Sequence, residues 1–176
     1  MEYVKHEICA ACGFDGSRYN DQALLVALRG LGPRWNALLD EAARDLRVRP
    51  MPEVWSAVEY AAHSRDITAL HVFGVEQALM QDEPSYPPIH GDDLIELAAA
   101  TYEDADPQEV GSDLANQASL LAGLASDAGT AAWTRGLTIG NERTDVRRLI
   151  EHALHDSLHH LGDVERGLSL IRERHP

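Results

Sequence analysis

The stretch from residue 143 to 172, RTDVRRLIEHALHDSLHHLGDVERGLSLIR, limits the possible folds more than any other part of the chain. Leu149, Ile150, Leu154, Leu158, Leu161, Val164, Leu168 and Ile171 recur three and four residues apart, the spacing that lines apolar side chains along one face of an α-helix. A helix of that length with one apolar stripe draws its stability from packing, so the stripe predicts partners.

Those partners are present. Leu24, Leu25, Leu28, Leu31, Trp35, Leu38 and Leu39 repeat the period over residues 17–46, interrupted by Gly30, Gly32 and Pro33, where a kink or break is expected. Ser17 or Asn20 suits the cap at its start. Trp55, Val58, Ala62, Ala69, Phe73 and Met80 form one stripe over residues 53–80, and Pro84, Pro87 and Pro88 follow it as breakers. A short helix is expected within DDLIELAAATYEDA and a longer one after Asp106, with Pro107 in its first turn. GTAAWTRGLTIGN reads as a loop, and no stretch alternates convincingly with period two. The expected fold is all-α: a four-helix bundle over residues 18–176, preceded by a Cys-bearing head at residues 1–17. The crossover between the second and third principal helices is about 25 residues, far longer than usual, and lets those neighbours run parallel.

Charge narrows the partners. The 15 Lys+Arg against 29 Asp+Glu give a net charge of -14, which opposes binding to phosphate backbones and anionic lipid surfaces. No apolar run reaches the roughly 20 residues of a membrane span. The first residues, MEYVKHE, lack the basic-then-apolar layout of a signal peptide, so cytoplasmic location is expected. With two cysteines, Cys9 and Cys12, a disulfide framework is excluded, while local metal or redox use stays open.

Nine histidines are more than a core requires, and His152, His155, His159 and His160 lie together in HALHDSLHH. His155 and His159, four residues apart, can offer two imidazoles to one ion. His63 is the natural third ligand, flanked on its own helix by Glu59 and Asp66, either of which could hold the second ring N–H of a ligating histidine. Three protein ligands leave a position open for water or substrate, and such a set suits zinc, nickel or iron. A pair like this also sits readily on solvated surface. A wheel drawn at about 100° per residue sets His155 and His159 well round from the Leu154/Leu158/Leu161 stripe. They line a site only if another helix, a loop or a second subunit covers that side. His152 and His160 are rival ligands, and His71, His90 and His175 read as surface or loop residues.

The segments WSAVEYAAHSRD and HDSLHHLGDV, with the helix order over about residues 18–172, resemble the DinB/YfiT-like superfamily of metal-binding bundles. Within it the chain is most similar to the N-terminal domains of mycothiol-dependent maleylpyruvate isomerases. The resemblance implies an up-down-down-up topology, a dimer, and a divalent metal on His63, His155 and His159. Some members of that family transfer a small thiol such as mycothiol or bacillithiol to an electrophile. The family pattern does not call for the CAACGFDG head. There Cys9 and Cys12 could hold a second metal ion, completed by His6, Asp15, His90 or the main cluster, or form a redox pair, or be merely reduced.

The expected activity is accordingly metal-dependent thiol S-transfer, in which the ion lowers the pKa of the incoming thiol. Trp55, Tyr60 and Trp133 are candidate pocket walls, and Arg135 or Arg65 a candidate for a substrate carboxylate. The alternative expectation is a non-catalytic metal-binding or stress-response scaffold.

Overall fold

The computed structural model describes residues 5–87 and 100–174. Five long helices dominate the described residues: α1 (Asp21–Arg29), α2 (Leu31–Glu41), α3 (Ala57–Met80), α4 (Pro107–Ala128) and α5 (Val146–Arg174). Most of the short helix expected in the crossover, together with His90 and His175, lies outside the described residues; residues 100–102 are helical.

Local chemistry sets the ends. Asn20 Oδ1 accepts the Ala23 N–H at 2.8 Å and opens α1. Gly30 closes it, its N–H reaching the carbonyls of Val26 and Ala27 at 3.1 Å each. Pro33 falls in the first turn of α2, where its missing N–H costs nothing. The anticipated break therefore separates two short helices that together form one arm of the bundle. Asp106 Oδ1 caps α4 by accepting from Gln108 and Glu109, with Pro107 in the first position.

Contacts between helices fix their directions. Gly74 packs on Leu149, His71 meets His152 and His63 meets His160, so α3 and α5 are antiparallel. Gly32 faces Ala115 and Gly111 faces Asn36, making α4 antiparallel to the α1–α2 arm. Trp35 bonds Ser157 and Glu41 bonds Arg172, so that arm runs with α5. Arg135, just beyond α4, reaches the carbonyls of Ala78 and Gln81 at the end of α3, which sets α3 and α4 parallel. The order is up-down-down-up, the topology that the long crossover permits.

A small sheet corrects the all-loop reading of residues 129–141. Strands β1 (Ser85–Tyr86), β2 (Gly136–Ile139) and β3 (Glu142–Asp145) pair in that order, β1 parallel and β3 antiparallel to β2. The β2–β3 turn uses Gly140 at φ +61°, a left-handed conformation that suits a two-residue hairpin. The strands are too short for an alternating pattern to stand out in sequence.

Residues 5–19 lie against α5. Ile8 and Asp15 form an isolated antiparallel bridge. Phe14 belongs to the same apolar core as the bundle helices. Arg147 on α5 donates to the carbonyls of Gly16 and Tyr19, and buried Glu151 accepts the Glu7 N–H at 2.9 Å.

Candidate metal centre

Because α3 and α5 run antiparallel, the histidines of HALHDSLHH meet those of α3 in reverse order. His71 and His152 have ring centroids 5.1 Å apart, and His63 and His160, eight residues earlier on α3 and eight later on α5, 5.0 Å apart. Between them, the side chains of α5 that face α3 include Asp156.

One cluster joins both helices. His63, Asp156 and His160 each present a ligand atom, all within 4.8 Å of one another. His63 Nε2 and His160 Nε2 lie 3.6 and 3.5 Å from Asp156 Oδ1. His160 Nδ1 is 2.9 Å from Asp163 Oδ2, so one ring nitrogen is anchored and the other faces the cluster. Tyr60 stacks on His160 at 4.9 Å and Trp55 tilts against His63 at 5.3 Å. Tyr102 lies edge-on to both Trp55 and His63 and donates its hydroxyl to Asp66 Oδ2 at 2.9 Å.

The electrostatics suit a cation. Burial works against the Asp156 carboxylate, but hydrogen bonds and charge from His160 and His63 outweigh it and hold its pKa well below the usual carboxylate range. Burial likewise opposes the His160 cation, yet Asp156 and Asp163 together raise its pKa. Asp156 Oδ2 is buried and makes no hydrogen bond among the described residues. A buried carboxylate oxygen in that condition calls for a donor or a metal ion. Two imidazoles and one carboxylate are a donor set that divalent zinc or iron accepts with a position left open, so the residues fit.

The sequence expectation had grouped His63 with His155 and His159. The structure places these two elsewhere: His155 and His159 cluster with Cys9 and Cys12, again with all ligand atoms within 4.8 Å. A shift of one residue along a helix turns a side chain by about 100°, so Asp156 and His160 face α3 while His155 and His159 face the head. The covering element that the wheel demanded is thus the N-terminal segment. A third grouping, Glu7 with His152 and His155, has Arg148 paired to Glu7, a fixed cation that disfavours a second one beside it.

The other candidates divide. Trp55 and Tyr60 border the His63–Asp156–His160 cluster. Trp133 and Arg135 do not: Trp133 is buried and donates its indole N–H to the Ala125 carbonyl at 2.9 Å, while Arg135 caps the end of α3, about 22 Å of helix beyond His63. Glu59 does not orient a ligand. It is buried at the start of α3, where Oε2 accepts from the Ser56 N–H, the Ser56 hydroxyl and Arg49 Nε at 2.9, 2.7 and 3.0 Å. Asp66 serves Tyr102 and Arg65 instead of a histidine. His71, expected at the surface, is buried, with Nδ1 2.7 Å from the Ile67 carbonyl. Sequence reading passed over Asp156, Asp163 and Tyr102; the D-x-x-x-H spacing of Asp156 and His160 was the available signal.

The sequence pattern of the DinB superfamily matches residues 24–164, a span that includes His63, Asp156 and His160 and leaves out the two cysteines. Among solved structures the chain is similar to YfiT from Bacillus subtilis, described as "a probable metal-dependent hydrolase with an unusual four-helix bundle topology". The TM-score is 0.76 over 98% of this chain and 93% of that one, at 14% identity. No curated protein is similar to the chain in sequence.

Proposed function

The chain belongs to the DinB superfamily, and on that premise we propose that it is a metal-dependent enzyme holding one divalent ion, zinc or iron, on His63, Asp156 and His160, and activating a small thiol of the mycothiol type for transfer to an electrophile. The observation that carries the reading is the convergence of three donors from two antiparallel helices on a carboxylate with an unpartnered, buried oxygen. A bound ion supplies a Lewis acid that lowers the pKa of a thiol or water at the open position. The protein's own groups do the rest. Asp163 fixes the ring of His160 by its Nδ1, Asp156 offsets one unit of the ion's charge, and Trp55, Tyr60 and Tyr102 supply an apolar border that limits water.

Water in place of thiol gives the second reading, a hydrolase, which the description of YfiT favours. In both readings the protein works in the cytoplasm, as a homodimer. Among the described residues no helix is long and apolar enough to cross a membrane.

The experiment is a rate comparison on untagged, metal-loaded protein. Mycothiol with a panel of reactive electrophiles should give adduct at least about tenfold faster than with metal-free protein, and Asp156→Asn should remove the difference. Turnover of esters or amides without thiol selects the hydrolase. Stoichiometric metal with neither activity selects a non-catalytic metal-binding scaffold.

A further inference from the structure

The two cysteines play no part in the site above, yet the fold brings them as a pair to the adjacent face of the same helix. The head closes a tight loop: Cys9 N–H reaches the Phe14 carbonyl and Gly13 N–H the Cys9 carbonyl, each at 2.9 Å. Gly13 adopts φ +75°, which only glycine takes without strain. The loop presents Cys9 Sγ 3.7 Å from His159 Nδ1. We propose that Cys9, Cys12, His155 and His159 form a closed, four-ligand zinc site that staples the N-terminal head to α5, separate from the centre on His63, Asp156 and His160.

Two observations support it. All four ligand atoms lie within 4.8 Å of one another. Zn–S bonds of about 2.3 Å and Zn–N bonds of about 2.0 Å at a tetrahedral angle put neighbouring S and N roughly 3.6 Å apart, close to the Cys9–His159 distance. The spacing is also right on both sides, C-x-x-C in a turn and H-x-x-x-H on a helix.

Second, Nε2 of His155 is buried and makes no hydrogen bond among the described residues. The ring is nevertheless held in place: Phe14 stacks on it at 5.2 Å, and its Nδ1 lies 2.8 Å from Glu7 Oε1. A carboxylate beside one nitrogen of a histidine whose other nitrogen is unpartnered is the usual setting of a metal-ligating imidazole.

Two thiolates and two neutral imidazoles balance a divalent ion, leave no open position, and prefer zinc to harder cations. The site would be structural. It would also brace His159, whose ring lies 5.5 Å from that of His160, and so hold one wall of the neighbouring centre.

The test uses the full chain, untagged, loaded with zinc or cobalt. The wild type should carry two equivalents of zinc. The cobalt form should show a thiolate-to-metal charge-transfer band, and chelator should expose both thiols to alkylation at least about tenfold faster. Cys9→Ser with Cys12→Ser should lose one equivalent and the band while keeping the other equivalent; Asp156→Asn should lose the other and keep the band. The wild-type band and the alkylation rates need no variant to fold. A cobalt form without the band, thiols that alkylate equally fast with and without metal, or an unchanged zinc content in the double cysteine variant overturns the proposal. Loss of the equivalent held by His63, Asp156 and His160 alone leaves it standing and tests the proposed function instead.

Discussion

His160 Nδ1 meets Asp163 Oδ2 at 2.9 Å, less than one turn further along α5. The contact fixes which nitrogen of His160 is left to face Asp156 and His63. Asp163→Asn keeps the shape and removes the charge that makes the imidazole a better donor. It should weaken metal binding at this centre by about 10–100-fold. Competition against a chromophoric chelator reads the change, and an unaltered affinity would show that Asp163 serves only its salt bridge to Arg166.

Deeper in the bundle, Trp35 Nε1 donates to Ser157 Oγ at 2.7 Å, with both side chains fully buried. Ser157→Ala leaves an indole N–H in an apolar core without an acceptor. The expected loss is about 1–3 kcal/mol of stability, seen as a lower urea midpoint with an unchanged m-value. Metal content should stay as in the wild type, because Ser157 faces the α1–α2 arm, not α3.

Apolar periodicity carries sequence reading a long way for this fold. The stripes over α1–α2 and on α5, the break at Gly30 and the cap at Asp106 are local signals, and the bundle follows from burying the stripes; on α3, which is apolar on more than one side, the expected stripe errs, since Phe73 and Met80 are exposed while Val72, Val75 and Ala78 are buried. The site was less legible. Among the i,i+4 pairs of the run with histidines at 152, 155, 159 and 160 are His155/His159 and Asp156/His160. They point about 100° apart, and only the tertiary partner decides which faces α3. The sequence stripe on α5 warned that His155 and His159 faced away from the core, but the element that covers them is a head with no regular period. Arg135 and Trp133 looked functional because nothing local shows that an arginine will cap a helix distant in sequence. His71 looked exposed because one polar residue does not alter the surrounding apolar pattern.

Two helical glycines should respond oppositely to the same substitution. A Cβ on Gly32 would sit 2.5 Å from the Cβ and 2.8 Å from the Cα of Ala115. Gly32→Ala must therefore push α2 from α4, at a cost of about 1–3 kcal/mol. At Gly123, on α4, a Cβ meets nothing within 4 Å. Gly123→Ala should stabilise by up to about 1 kcal/mol, through helix propensity and a less flexible unfolded chain. Thermal melts of the two variants, moving to opposite sides of the wild type, check the packing of α2 on α4.

His71 offers a prediction about pH. Burial, reinforced by the neighbouring His152, lowers its pKa to about 4, whereas an unfolded-chain histidine titrates near 6.5. Between those values the unfolded state binds the proton and the native state does not, so stability falls as pH drops from about 6.5 toward 4. A shift of this size corresponds to about 3 kcal/mol once both forms are fully protonated. Acidic residues also titrate in that range, so the informative quantity is a difference. Stability of wild type minus that of His71→Gln, followed by urea unfolding of metal-free protein from pH 7.5 to about 4.5, should decline steadily with acid. The His71 ring is held by the Ile67 carbonyl at 2.7 Å, a bond that glutamine can reproduce through its amide. A difference that stays flat across the range would mean that the native state takes up the proton on His71 as easily as the unfolded chain does.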